Sequence, residues 1–125
     1  MLSLRKLTAV FFRTASGREP VREWLRSLPP NERHAIGEDI AYVQYRWPIG
    51  RPHVDHLRGG IWEVRSRLEN RIARVLFAVA GEEIVLLHGF IKKTRATPAE
   101  DLDLAARRWT EWKNEYQQTS RVLVR

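Results

Sequence analysis

The sequence predicts an α+β domain: a small antiparallel sheet formed by a strand, two helices and a three-stranded meander, closed by a C-terminal helix. Three observations carry that prediction. Arg71 to Ala80 and Glu83 to Ile91 are nearly continuous apolar runs separated by Gly81-Glu82, and a glycine-first pair suits a type II′ hairpin turn. Two segments ahead of them repeat apolar residues at helical spacing. After them, Thr97-Pro98-Ala99-Glu100 reads as a capping box with proline at the first helical position.

Taken in order, Leu7 to Thr14 (LTAVFFRT) is rich in β-branched and aromatic residues and predicts the first strand. Gly17 interrupts it. Pro20 opens a helix whose stripe is Val21, Trp24, Leu25 and Leu28, and Pro29-Pro30 ends it. A second helix takes Asn31 as its cap and carries Ile36, Ile40, Val43 and Trp47 on one side. Pro48, Gly50 and Pro52 stop it and open a loop that runs through His56. Gly59-Gly60 precedes a short strand, Ile61 to Ser66, and a turn near Glu69-Asn70 leads to the hairpin. The last helix places Leu102, Ala105, Ala106, Trp109, Trp112 and Tyr116 on one face. From Gln117 the chain reads as a polar, flexible tail, in which Val122-Leu123-Val124 has strand character. No repeat or linker divides residues 1–125, so a single domain is expected.

Composition narrows the function classes. With 43% hydrophobic and 30% charged residues the chain is an ordinary globular one, and no apolar run is long enough for a bilayer. Met1-Leu2-Ser3-Leu4-Arg5-Lys6 lacks the pattern of a secretory signal, so a cytoplasmic location without membrane association is expected. With no cysteine, disulfides and thiolate metal sites are excluded. The net charge of +7 and pI near 10.5 favour a polyanionic partner.

The cations gather at one end of the predicted sheet. Counting outward from Gly81-Glu82 pairs Ala78 with Val85, Leu76 with Leu87 and Arg74 with Gly89. That register sets a guanidinium inside an apolar strand across from a residue with no side chain, a notch open to an anion. Arg65, near the end of the preceding strand, is brought toward Arg74. Gly89, Ile91 and Lys93 share one face of the last strand; His88, Phe90 and Lys92 share the other. Arg67, Arg71 and Arg95 lie beside the same end, and Phe90 and Trp62 are candidates for base stacking. Two plainer readings stand beside this one. Lys92 and Lys93 suit solubilising charges on a strand end, and Arg74 suits a buried structural ion pair with Glu63 or Glu69. His53, Asp55 and His56 match no standard metal spacing, and Gly59-Gly60 belongs to no phosphate loop.

The span from "HLRGGIWEVRS" through "NRIARVLFAVAGEEIVLLHGFIKKTRATP" resembles the RelE/ParE toxin superfamily, and within it the HigB branch, which includes phage-derived toxins of type II toxin–antitoxin modules. "LLHGFIKKT" followed by "TP" and a helix carries the likeness to that branch, and "RVLF" matches an arginine-led strand of the superfamily. The resemblance implies an endoribonuclease, an mRNA interferase acting on the ribosome without metal or cofactor. It also implies a helix-turn-helix, HigA-like antitoxin as partner, through which the complex binds operator DNA. By position it assigns phosphate binding to Arg74, a supporting basic role to Arg65 and the catalytic side of the last strand to Lys92 and Lys93. His88 and Phe90 stand nearest to the superfamily's proton-transferring residues, although Phe90 cannot transfer a proton. In that chemistry the ribose 2′-hydroxyl attacks the adjacent phosphate, and fixed cations stabilise the charge that builds on its oxygens. Two other functions remain open from the sequence: a toxin of the same fold that inhibits a protein such as DNA gyrase, and a non-catalytic RNA- or ribosome-binding protein.

Overall fold

A computed structural model describes the backbone of residues 6–124 and the side chains of residues 6–116. The element order is β1 (Thr8–Phe11), α1 (Pro20–Ser27), α2 (Pro30–Arg46), β2 (Val54–Arg58), β3 (Ile61–Arg67), β4 (Ile72–Ala80), β5 (Glu83–Ile91) and α3 (Ala99–Val124). The five strands form one sheet in the order β1-β5-β4-β3-β2. The fold is α+β, as the sequence predicts.

Both sides of the sheet are covered, which explains the unbroken apolar runs of β4 and β5. Val64, Val75, Phe77, Ile84 and Leu86 face α1 and α2, whose Val21, Ile36, Ile40 and Val43 are buried against them. Ile61, Leu76, Ala78, Val85 and Leu87 face α3, where Ala105 is buried and Leu102, Ala106, Trp109 and Trp112 are partly buried. Tyr116, expected on the same stripe, is 57% exposed and stacks on the Trp112 ring.

Several expectations are corrected. The sheet is mixed: β1 runs parallel to β5, pairing Thr8 with Glu83 and Phe11 with Leu86. The predicted loop through His56 contains β2, which pairs antiparallel with β3. It is a charged edge strand, a common guard against sheet-to-sheet aggregation, and its Asp, His and Arg hide the apolar alternation. α2 starts at Pro30 with Pro29 at its cap position, so Asn31 lies inside the helix. Backbone 122–124 is helical and adds no strand.

The hairpin register holds for half its length. Gly81 takes a positive φ of 58° while Glu82 does not, as a type II′ turn requires. Ala80 pairs with Glu83, Ala78 with Val85 and Phe77 with Leu86. A β-bulge then intervenes, and Leu76 pairs with His88, Val75 with Gly89 and Arg74 with Phe90. The extra residue puts Leu87 and His88 on the α3 side together and moves Gly89 to the α1 side, where its backbone meets the Trp24 ring.

Candidate functional site: a basic groove at the sheet end

β3 and β4 join through a tight turn closed by the Leu68 N–H donating to the Arg71 carbonyl at 2.8 Å. Beside it β5 ends, and the Lys92 N–H extends the ladder by donating to the Ile72 carbonyl at 2.7 Å. Between the turn and the segment that leaves β5 lies an open groove of about 710 Å³. Arg67 and Arg71 come from the turn side, and Lys92, Lys93 and Arg95 from the other, with Glu69 the one carboxylate among the described lining residues. Arg71 is partly spoken for: it forks onto Glu32 of α2, and that hydrogen bond raises its pKa above the ordinary arginine value. Arg67, Lys93 and Arg95 are exposed, and Lys92 is half-buried.

Below the groove, on the α3 side, sits a network of ion pairs. Arg65 and Arg74 are directly opposed across β3 and β4. Arg65 bonds Asp55 at 2.6 Å and approaches Glu63 at 3.5 Å. Asp55 also accepts from Arg51, and that bond, reinforced by the charges of Arg51, Arg65 and Arg74, holds its carboxyl below the usual carboxylate range. Arg74 and Glu63 are each only 1% exposed. The Arg74 guanidinium lies 3.5 Å from Glu63 Oε1 through Nε, donates through Nη1 to Thr97 at 2.9 Å, and through Nη2 to the Arg95 carbonyl at 2.6 Å. The Thr97 hydroxyl donates onward to Glu63 at 2.8 Å.

A family comparison gives this geometry its context. The profile of the family described as phage-derived protein Gp49-like matches residues 23–110. The chain belongs to that family. It is a toxin-like family associated with toxin–antitoxin systems, and the match takes in every strand except β1 together with the whole groove. A search among curated proteins finds no match.

In this Gp49-like chain the structure gathers five of the expected residues, Arg67, Arg71, Lys92, Lys93 and Arg95, into the groove. The others are elsewhere. Arg74 does not face a notch at Gly89, because the bulge sets it opposite Phe90 and its donors are directed at protein atoms. The notch itself is filled by Trp24. Trp62 is on the opposite side of the sheet, edge-on to Trp47 at 4.9 Å and beside His56, so it cannot stack a base bound near Arg74. His88 is bonded to Asp101 in the first turn of α3 at 2.6 Å and stacked on Phe90 at 5.4 Å. His53, Asp55 and His56 turn to different partners, respectively the Tyr42 ring, Arg51 with Arg65, and the Trp62 ring. Sequence reasoning missed Thr97 and Asp101 as partners. The capping box expected at Thr97, with Pro98 as first helical residue, is corrected: α3 starts at Ala99, and the Pro98 carbonyl accepts from Asp101 and Leu102. The Thr97 hydroxyl is engaged by Glu63 and Arg74, which only the three-dimensional register brings within reach.

Proposed function

We propose that the protein is a HigB-type toxin of the RelE/ParE superfamily that cleaves mRNA on the ribosome, and that the basic groove holds the RNA backbone. The observation that carries this reading is the groove lining, five cations against one carboxylate in a Gp49-like chain. Single-stranded RNA presents a phosphate at each nucleotide, and cations from two walls can grip successive phosphates.

The chemistry assigned to the groove needs no more than its residues offer. The ribose 2′-oxygen forms a bond to phosphorus as it loses its proton. The bond from phosphorus to the 5′-oxygen breaks, and that oxygen takes up a proton. The products are a cyclic phosphate and a 5′-hydroxyl. Arg71, anchored on Glu32, and the exposed Arg67 and Arg95 supply donors for the charge on the phosphorane oxygens, and a donor held in place contributes about 10²–10³ in rate. Lys92 and Lys93 are assigned the proton transfers, since the described lining residues include no histidine. The cognate partner in this reading is a HigA-like helix-turn-helix antitoxin, with an acidic segment complementary to the groove.

A second reading, RNA or ribosome binding without cleavage, is favoured by one observation: His88 is spent on Asp101 and stacked on Phe90. Inhibition of DNA gyrase is the third. Purified protein incubated with translating ribosomes in EDTA-treated and magnesium-restored aliquots, with ribosome integrity monitored, separates them. New mRNA ends bearing cyclic or 3′-phosphate and 5′-hydroxyl groups, in intact ribosomes and independent of free magnesium, are expected. Ribosome binding with intact mRNA would leave the second reading, and altered plasmid supercoiling in a parallel gyrase reaction the third.

A further inference from the structure

Arg74 interrupts an apolar strand, and its placement raises the question of what it serves. An arginine whose purpose is to neutralise a neighbouring carboxylate pairs best side-on, with two N–H groups on the two oxygens. Arg74 does not pair that way with Glu63. Its Nε stands 3.5 Å from Glu63 Oε1 without making a hydrogen bond, while both Nη atoms turn away to Thr97 and the Arg95 carbonyl. The Thr97 hydroxyl then donates back to Glu63. A buried donor left unsatisfied is costly, so the orientation is set by what the Nη atoms hold. What they hold is the segment between β5 and α3, residues 92–98, which carries Lys92, Lys93 and Arg95.

We propose that Arg74, Glu63 and Thr97 form a clasp that fixes this segment over the sheet end, making Arg74 a positioning residue that acts through the cations of the segment and does not touch the bound ligand. The proposal rests on the reading of the groove as a site for single-stranded RNA. The segment is pinned at both ends: the Lys92 N–H joins the β4 ladder at Ile72, and Arg95 and Thr97 are tied to buried groups. Cations held in place before binding lose less freedom when they meet a phosphate. A free segment would present the same charge with fewer simultaneous contacts.

Thr97→Val tests this without removing a charge and with little change of shape. The first measurement is binding of a 2′-O-methyl RNA strand, which cannot be cleaved, across a series of salt concentrations. Each phosphate contact on a single strand contributes about 0.7 to the slope of log affinity against log salt. Loss of the clasp is expected to lower the slope by up to about 2, the share of three cations, although none has been removed. Thr97→Ser, which keeps the hydroxyl, is expected to restore it. The second measurement needs no RNA: trypsin cleavage after Lys92, Lys93 and Arg95 is expected to quicken on the order of tenfold in Thr97→Val under native conditions. A wild-type slope with a wild-type trypsin rate in Thr97→Val overturns the clasp, as does a lower slope that Thr97→Ser fails to restore. If the wild type does not bind RNA, the reading of the groove fails, and the trypsin arm still decides whether the segment is clasped.

Discussion

Gly89→Ala isolates what the bulge in β5 accomplishes. A Cβ at position 89 would lie 2.4 Å from both Cε3 and Cζ3 of Trp24 and 3.0 Å from its Cδ2. Carbon atoms in contact sit about 3.5–4.0 Å apart, so strand and ring must separate by roughly 1.1 Å or more. The indole cannot simply back away, because α1 is anchored by Val21, which is 1% exposed. Overpacking of this kind costs about 1–3 kcal/mol. Alanine also narrows the unfolded ensemble, which stabilises by about 0.4–1 kcal/mol and works in the opposite direction. The clash wins, with a net loss of roughly 0.5–2 kcal/mol and a fall in Tm of about 3–10 °C for a domain of this size. Thermal and urea denaturation measure it, with the midpoint moving and the m value unchanged. In a Trp24→Leu background, where the ring is withdrawn, the same Gly89→Ala change is expected to be neutral or slightly stabilising. A Gly89→Ala protein that melts at or above the wild type, or a penalty that persists beside Leu at position 24, would refute the packing argument.

Other consequences are as direct. Arg74→Ala leaves the buried Glu63 with only Arg65 at 3.5 Å and the Thr97 hydroxyl as partners and is expected to destabilise by about 3 kcal/mol, the low end for breaking a buried pair; a melting temperature close to wild type in differential scanning calorimetry would show that the pair is not structural. On the proposed nuclease reading, Lys92→Ala with Lys93→Ala is expected to lower toxicity on induced expression by at least about 10² while stability stays within about 0.5 kcal/mol, and undiminished growth arrest would remove the lysines from the proposed mechanism. For Asp55 the folded carboxyl titrates lower than the unfolded one because of Arg51, Arg65 and Arg74, so the unfolded chain binds more protons as the solution turns acid. Its contribution is therefore complete above about pH 4 and is lost as the pH falls through the lower folded value. Asp55→Asn is expected to flatten the acid limb of stability against pH, and an acid limb parallel to wild type would assign the effect to other groups.

Much of the fold was legible because the signals were local. Gly81-Glu82 names its own turn type, and the stripes of α1, α2 and the first part of α3 follow helical spacing onto buried faces. What was not legible depends on partners distant in sequence. β1 carries no information on whether it lies parallel or antiparallel to β5, since the two are joined through every other strand. β2 presents Asp55, His56 and Arg58 around Val54 and Leu57, and a short edge strand does not need a clean alternation to pair with β3. The backbone past Tyr116 continues α3, whereas the run Gln117-Gln118-Thr119-Ser120 offers the sequence no apolar residue at helical spacing.

The candidate groove was legible as charge and not as burial. Arg67, Arg71, Lys92, Lys93 and Arg95 could be found by counting cations near one sheet end, because exposed charges on a turn and on a strand exit have nowhere else to point. Arg74 is different: strand periodicity assigns its face only if the ladder is straight. A single extra residue at Leu87–His88 exchanges Gly89 and Phe90 across the sheet. A straight ladder would have given one residue pair, Arg74 with Gly89, and one open notch on the α3 side. The bulged ladder divides the two roles. Gly89 goes to the α1 side, where the absence of a side chain admits Trp24, and Arg74 stays on the α3 side beneath the segment that ends in Thr97. Helix packing and loop anchoring are thereby set on opposite faces of the same strand pair, which is why an arginine with the sequence signature of a phosphate ligand has every route to solvent closed.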